Sequence, residues 1–233
     1  MGKWAMEDVA DFVIVGSGAG GATAAYVLSA AGFSVLILEE GAYLQSKARP
    51  KEALKAMSQS MRGFGAQTTD SAVPIPLLQG VCVGGSTAIN SGIIWRMPQD
   101  VRKLWKDQHG LDELVNENAL HRIYERIEKL LGVQSTDSSL WGGNGHKLAD
   151  AASAMHLKGK AMERNAAQCK GSGRCVQGCP NGARQSMDVS LIPLSIDQGA
   201  RLFTGARALQ VVIKQGRATG VTGKISGAWS AYW

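Results

Sequence analysis

Near its start the chain runs Asp11-Phe-Val-Ile-Val15, a short apolar stretch rich in β formers, straight into Gly16-Ser17-Gly18-Ala19-Gly20-Gly21. Ala24, Val27, Leu28 and Ala31 then recur at helical spacing up to Gly32, which stands where a helix stops. Ser34-Val-Leu-Ile-Leu38 follows as a second strand ending at Glu39-Glu40-Gly41. Strand, glycine turn, helix and strand in this order predict a βαβ unit with parallel strands, apolar throughout because both faces are covered. The spacing Gly16-x-Gly18-x-x-Gly21 gives each glycine a task. Gly16 allows a sharp turn, Gly18 lets the backbone approach a pyrophosphate, and Gly21 lets the helix lie close to the strand. With Ser17 in the same turn, the amides of Ala19, Gly20 and Gly21 would face the phosphates at the positive end of the helix. A carboxylate at the end of the second strand suits ribose hydroxyls and repels a 2′-phosphate. Glu39 is the expected residue, with Glu40 beside it. The motif alone does not separate NAD from FAD.

The remaining chain reads as an α/β protein. Lys51 to Met61 is a candidate helix, Thr68 to Gln79 a loop, and Pro98 to Gly132 helical, with a stripe of Leu120, Ile123, Tyr124, Ile127, Leu130 and Leu131. Asn144 is a candidate cap for a helix over Leu148 to His156. Arg201 to Thr204, Ala208 to Ile213 and Ala218 to Thr222 read as strands, the last two joined by a turn at Gly216. Lys and Arg exceed Asp and Glu by 25 to 19, and the basic residues are scattered, so no nucleic-acid footprint is expected. No apolar run reaches the length of a membrane span. The first residues, MGKWAMEDVAD, lack the charge pattern of an ordinary export signal, which leads to an expectation of a cytoplasmic protein. Under that expectation Cys82, Cys169, Cys175 and Cys179 are free thiols or metal or cluster ligands sooner than disulfides.

A second glycine-rich segment decides between cofactors. Gly80-Val-Cys-Val-Gly84-Gly85-Ser86-Thr87-Ala-Ile-Asn90-Ser91-Gly92-Ile93-Ile-Trp-Arg96 resembles the flavin-contacting segment of the glucose–methanol–choline (GMC) oxidoreductases, and the first motif with its VLILEEG strand is similar to that family's N-terminus. The resemblance implies FAD. By position it implies that Gly84, Gly85, Ser86 and Thr87 line the pyrophosphate and ribityl chain, and that Asn90, Ser91, Gly92 and Ile93 lie beside the flavin ring. GARLFTGARALQVVI after Pro193 is similar to the stretch where the family's chain returns to the flavin domain, which implies an adenine contact at Ala208. The fold expected is therefore a Rossmann-like FAD-binding fold with a partial helical and irregular insert toward a substrate domain, incomplete relative to the family. Its expected parts are residues 1–100 (the βαβ unit and flavin segment), 101–192 (insert and partial cap), 193–224 (return) and an unpatterned tail, 225–233.

The resemblance implies an oxidoreductase acting on CH–OH donors, with a small-molecule alcohol as substrate and hydride passing to flavin N5. It runs from residue 11 to about 222, whereas the family's chains are more than twice as long and draw their catalytic His from the C-terminal part. None of His109, His121, His146 and His156 matches that motif, so no catalytic residue is assigned and little turnover is expected of this chain alone. The ending resembles a premature stop or shifted frame. Cys169-x5-Cys175-x3-Cys179 leaves two readings open. One is a structural loop as in long-chain alcohol oxidases. The other is an iron–sulfur site in the flavoprotein subunit of a larger dehydrogenase with an electron-acceptor partner. A nicotinamide-dependent dehydrogenase would share the first motif but not Gly84 to Asn90.

Overall fold

A computed structural model describes residues 7–112, 116–225, 231 and 232. In chain order the elements are β1 (Phe12–Val15), α1 (Ala19–Ala30), β2 (Val35–Leu38), α2 (Ala53–Ser60), β3 (Gln67–Thr68), β4 (Pro76–Leu77), α3 (Gln99–His109), α4 (Glu117–Leu130), β5 (Gln134–Ser135), α5 (Gly143–Ala154), β6 (Glu163–Arg164), α6 (Leu191–Asp197), β7 (Arg201–Phe203), β8 (Ala206–Lys214), β9 (Arg217–Ile225) and β10 (Ala231–Tyr232). They form two units. One holds residues 1–90, 174–182 and 186–233, and the other holds 91–173 and 183–185. The divisions thus fall at 90/91 and near 174–186, earlier than the expected 100 and 192.

The first unit is built on a four-stranded sheet in the order β1-β2-β7-β10. β1, β2 and β7 are parallel, with Val13 opposite Leu36 and Ile37 opposite Leu202, while β10 runs antiparallel to β7. α1 crosses over between β1 and β2, as the glycine and alanine pattern predicts. Its buried face is made of small residues, Ala22, Ala25 and Ser29. Small side chains let the helix axis come close to its neighbours, and α1 packs against both strands and α6. The core under it comprises Val35, Ile37, Leu191, Ile192 and Leu202, all essentially inaccessible to solvent. Gly32 follows the helix with φ +85, the left-handed turn the sequence indicates.

One expectation is corrected here. β2 is covered on both faces, but β1 is not: Phe12 and Val13 are exposed, and Val15 is 55% exposed. β1 pairs only with β2 among the described strands, so one edge is open, and Phe12 finds its contact in an edge-to-face pair with Phe33, centroids 5.1 Å apart. Of the expected tail, residues 226–230 and 233 lie outside the described residues. Ile225 still belongs to β9, and Ala231 pairs with Phe203 while Tyr232 meets Tyr43 edge-on at 5.3 Å. The hairpin of β8 and β9 turns at Gln215-Gly216 as expected and carries an exposed apolar row, Leu209, Val211 and Ile213.

In the second unit the expected Pro98–Gly132 helical stretch is two helices. Gly110, at φ +62, ends α3, and the side chain of Asn116 caps α4 by accepting a hydrogen bond from the Ala119 amide at 3.0 Å. Gly132, at φ +56, stops α4 where the sequence places it. α5 starts a turn earlier than expected, at Gly143, so Asn144 lies inside the helix rather than capping it. Within this unit Arg96 clamps Glu128 with two hydrogen bonds of 2.7 and 2.6 Å. Among the described residues no helix is long and apolar enough to cross a membrane.

A cleft where two glycine-rich bends meet

The turn after β1 is tied down by the sheet. The Gly16 amide donates to Leu38 O at 2.8 Å, and the Ala22 amide closes the first turn of α1 onto Gly18 O at 2.8 Å. Gly21 has no alternative at its position, because a Cβ there would overlap the Gly16 carbonyl oxygen. This is the close helix-to-strand approach the motif predicts. The amides of Ala19, Gly20 and Gly21 are first-turn donors without intrahelical partners and stand at the positive end of the helix.

The second bend, a tight turn over Gly85–Ala88, lies against the first. Gly84 is left-handed, at φ +90, and its amide donates to Ser17 Oγ at 3.1 Å. A Cβ on Gly85 would come within 3.1 Å of Gly18 Cα, so the two backbones touch. Behind Gly84 sits Asp188, whose buried carboxylate pairs with Arg49 at 2.9 Å; a Cβ on Gly84 would be 2.9 Å from Asp188 Oδ1. Thr87 Oγ1 donates to Gly84 O at 2.6 Å and accepts from the Met187 amide at 3.1 Å, which fixes the far side of the turn. Ser86 Oγ accepts from the Gly80 amide at 3.1 Å. Next to this turn, Cys82 is buried and its thiol is pushed up to about 12 by desolvation, so it stays protonated and is no nucleophile. Tyr43, whose hydroxyl donates to Asp188 O at 2.8 Å, is likewise raised to about 12 by burial and by the Asp188 charge.

Between the bends and the start of β8 opens a cleft of about 460 Å³, lined by Gly16, Gly18, Glu39, Gly85, Ser86 and Ala208 among the expected residues. Ala19, Gly20 and Gly21 stand at the helix start beside it, and Ser17, Gly84 and Thr87 hold its walls. Asn90 is exposed in the same unit, whereas Ser91, Gly92 and Ile93 belong to the other. The cleft also takes in Glu40, the neighbour of the expected ribose residue, and Arg62, Gln79 and Arg207, which the sequence reading did not single out. Arg207 and Gln79 adjoin segments that were singled out; Arg62 had no local signal.

Glu39 serves the fold more than the expectation allowed. It is 6% exposed, its Oε2 accepts from Ser17 N at 3.0 Å and Ser17 Oγ at 2.6 Å, and its Oε1 accepts from Gly41 N at 2.8 Å. A carboxylate has about four acceptor sites, so roughly one is left for a ribose hydroxyl. Through Ser17, Glu39 orients the hydroxyl that receives Gly84, which makes it the keystone between the two bends. Of the thiols, Cys169 lies in one unit and Cys175 and Cys179 in the other; among the described residues no group of three or more His, Cys, Asp or Glu is placed to hold a metal.

The family model for GMC oxidoreductases matches residues 10–228. The chain belongs to the GMC oxidoreductase family. An uncharacterised GMC-type oxidoreductase of Sinorhizobium fredii is 37% identical over 219 residues, covering 94% of this chain and 43% of that protein. A long-chain-alcohol oxidase of Arabidopsis thaliana is 31% identical over 218 residues, covering 91% of this chain and 30% of its own length. The formate oxidase structure from Aspergillus oryzae superposes with a TM-score of 0.63 at 17% identity, over 96% of this chain and 44% of the other, and shares the fold. This GMC chain thus spans less than half the length of these relatives. Membership in this flavoprotein family assigns FAD in place of a nicotinamide, and the residues fit it. A phosphate-ready helix start faces open ground, since a Cβ on Gly18 would meet nothing within 4 Å.

Proposed function

We propose that this chain is the cofactor-holding part of an FAD-dependent oxidoreductase of CH–OH donors, and that alone it turns over little or no alcohol. The observation that carries this reading is the contact of the two bends, Gly85 on Gly18 and the Gly84 amide on Ser17 Oγ, at the mouth of α1. FAD, when bound, supplies the hydride acceptor for oxidation of a carbinol carbon. The chain's own residues bind and orient it. The amides of Ala19, Gly20 and Gly21 and the dipole of α1 stabilise the pyrophosphate charge, and Gly18, with no side chain, leaves the ground before the helix start open to it. Ala208, on the opposite wall, stands at the adenosine side, where Glu39 offers its remaining acceptor site. By resemblance to the family, Asn90 belongs to the flavin-ring side.

Among the described residues no histidine lines this cleft. His109, His121, His146 and His156 are all exposed. The proton therefore goes to a group supplied from elsewhere, as the length of the relatives suggests. The relatives named long-chain-alcohol oxidase favour an alcohol with an apolar body as the substrate. The test is reconstitution. The purified chain should carry the flavin absorbance near ~450 nm. Adding alcohol should bleach it only when a polypeptide with the unmatched C-terminal part of the Sinorhizobium fredii relative is also present. A chain that takes up no flavin contradicts the binding claim, and bleaching without the second polypeptide contradicts the claim of inactivity.

A further inference from the structure

At one end of the cleft, two carboxylates and two guanidinium groups come together. Arg62 Nη1 and Nη2 donate to the two oxygens of Glu40 at 3.2 and 2.9 Å, and its Nε donates to Gln79 Oε1 at 2.9 Å. Arg207 Nε stands 4.0 Å from Glu40 Oε1. Glu39 completes the group, and all lie on the cleft wall with Gln79. Arg62 is placed by the backbone: it follows α2, its neighbour Met61 bridges to Gly80, and its own amide donates to Gln79 O at 2.9 Å. The pair is only partly screened from water, with about a third of each side chain exposed (34% and 32%). Arg62 holds the Glu40 carboxyl below the usual carboxylate range through its hydrogen bonds and its charge, so the pair is ionised at neutral pH.

The end of β2 is where a dinucleotide fold meets the adenosine ribose. Arginine forks at this place are what binds a 2′-phosphate, through paired N–H donors and full charge. Here the fork of Arg62 is already closed by Glu40, and the four charges sum formally to zero. We propose that the Glu40–Arg62 pair is the selectivity element of the adenosine end: by closing the arginine fork it admits a ribose with a free 2′-hydroxyl and turns away adenine nucleotides that carry a 2′-phosphate. The inference rests on the FAD reading, since only a nucleotide lying along Gly16 and Gly18 brings its ribose to this corner. Its use to the protein is exclusion of phosphorylated adenine cofactors from a site built on a shared βαβ plan.

The probes are ADP-ribose and 2′-phospho-ADP-ribose, titrated calorimetrically into the full chain. The wild type should bind ADP-ribose at least about tenfold more tightly than the phosphorylated form. Glu40→Gln keeps the size, frees the fork, and should narrow that ratio by about tenfold through tighter binding of the 2′-phosphate. Arg62→Gln leaves Glu40 unpaired and should widen the ratio beyond wild type. Far-UV circular dichroism reports folding, and if one variant fails to fold the other decides. A ratio unchanged by the folded variants, or a wild type that does not discriminate, overturns the proposal. A folded wild type that binds neither probe overturns the FAD reading, and this inference with it.

Discussion

Gly18→Val should leave the chain folded and strip it of its cofactor. Gly18 has φ −68 and ψ −171, which any residue can adopt, and a Cβ built there meets nothing within 4 Å. The protein itself therefore has room for a Cβ at this position. The ligand does not, because that open ground lies at the start of α1, where Gly85 approaches and where the cleft runs. Valine is a poorer N-cap than glycine, which costs about 1 kcal/mol at most. FAD affinity should fall by at least about a hundredfold, since a branched side chain holds the pyrophosphate off the amides that would receive it. Fluorescence titration of FAD with the variant, alongside its thermal melt, checks both halves. Normal binding would place the pyrophosphate elsewhere.

Gly21→Ala should do the reverse. One added methyl group overlaps the Gly16 carbonyl oxygen, which is backbone and cannot swing aside. Gly16 is anchored to Leu38 and α1 is packed against α6, so relief requires moving the helix or the turn. Overpacking of this kind costs about 3 kcal/mol or more. For a domain of this size that corresponds to a fall in Tm of roughly 6–12 °C. The loss appears in the chain without any ligand, which separates it from Gly18→Val. A melt unchanged by Gly21→Ala would mean that α1 does not lie on β1 as described.

The sequence made the βαβ unit legible because several local signals agree there: apolar strands, glycines at fixed offsets, and a helix stop at Gly32. The meeting of the two bends was legible only through family resemblance. Nothing local in residues 16–21 reveals what lies 60 or so residues downstream, and the tie is one hydroxyl, Ser17 Oγ, between the Glu39 carboxylate and the Gly84 amide. The same tie gives Glu39 a structural task that its place at the strand end does not reveal. A strand-end carboxylate looks alike in sequence whether its oxygens face a ligand or backbone amides. Arg62 escaped notice because its place is set by the Met61–Gly80 bridge, a tertiary contact between segments with no regular period. β1 reads as fully covered because apolarity reports what a strand is suited to pack against, not whether a neighbour lies alongside. The break at Gly110 was hidden because apolar residues at helical spacing lie on both sides of it, Val101, Leu104 and Trp105 before and Leu120, Ile123 and Ile127 after.

Structure determination of this chain with FAD bound tests the account most directly. The pyrophosphate should lie over the amides of Ala19, Gly20 and Gly21, in the cleft beside the contact of Gly18 with Gly85, with the adenosine toward Ala208 and the corner formed by Glu39 and Glu40. A pyrophosphate found away from α1, or two bends that no longer touch, would contradict it.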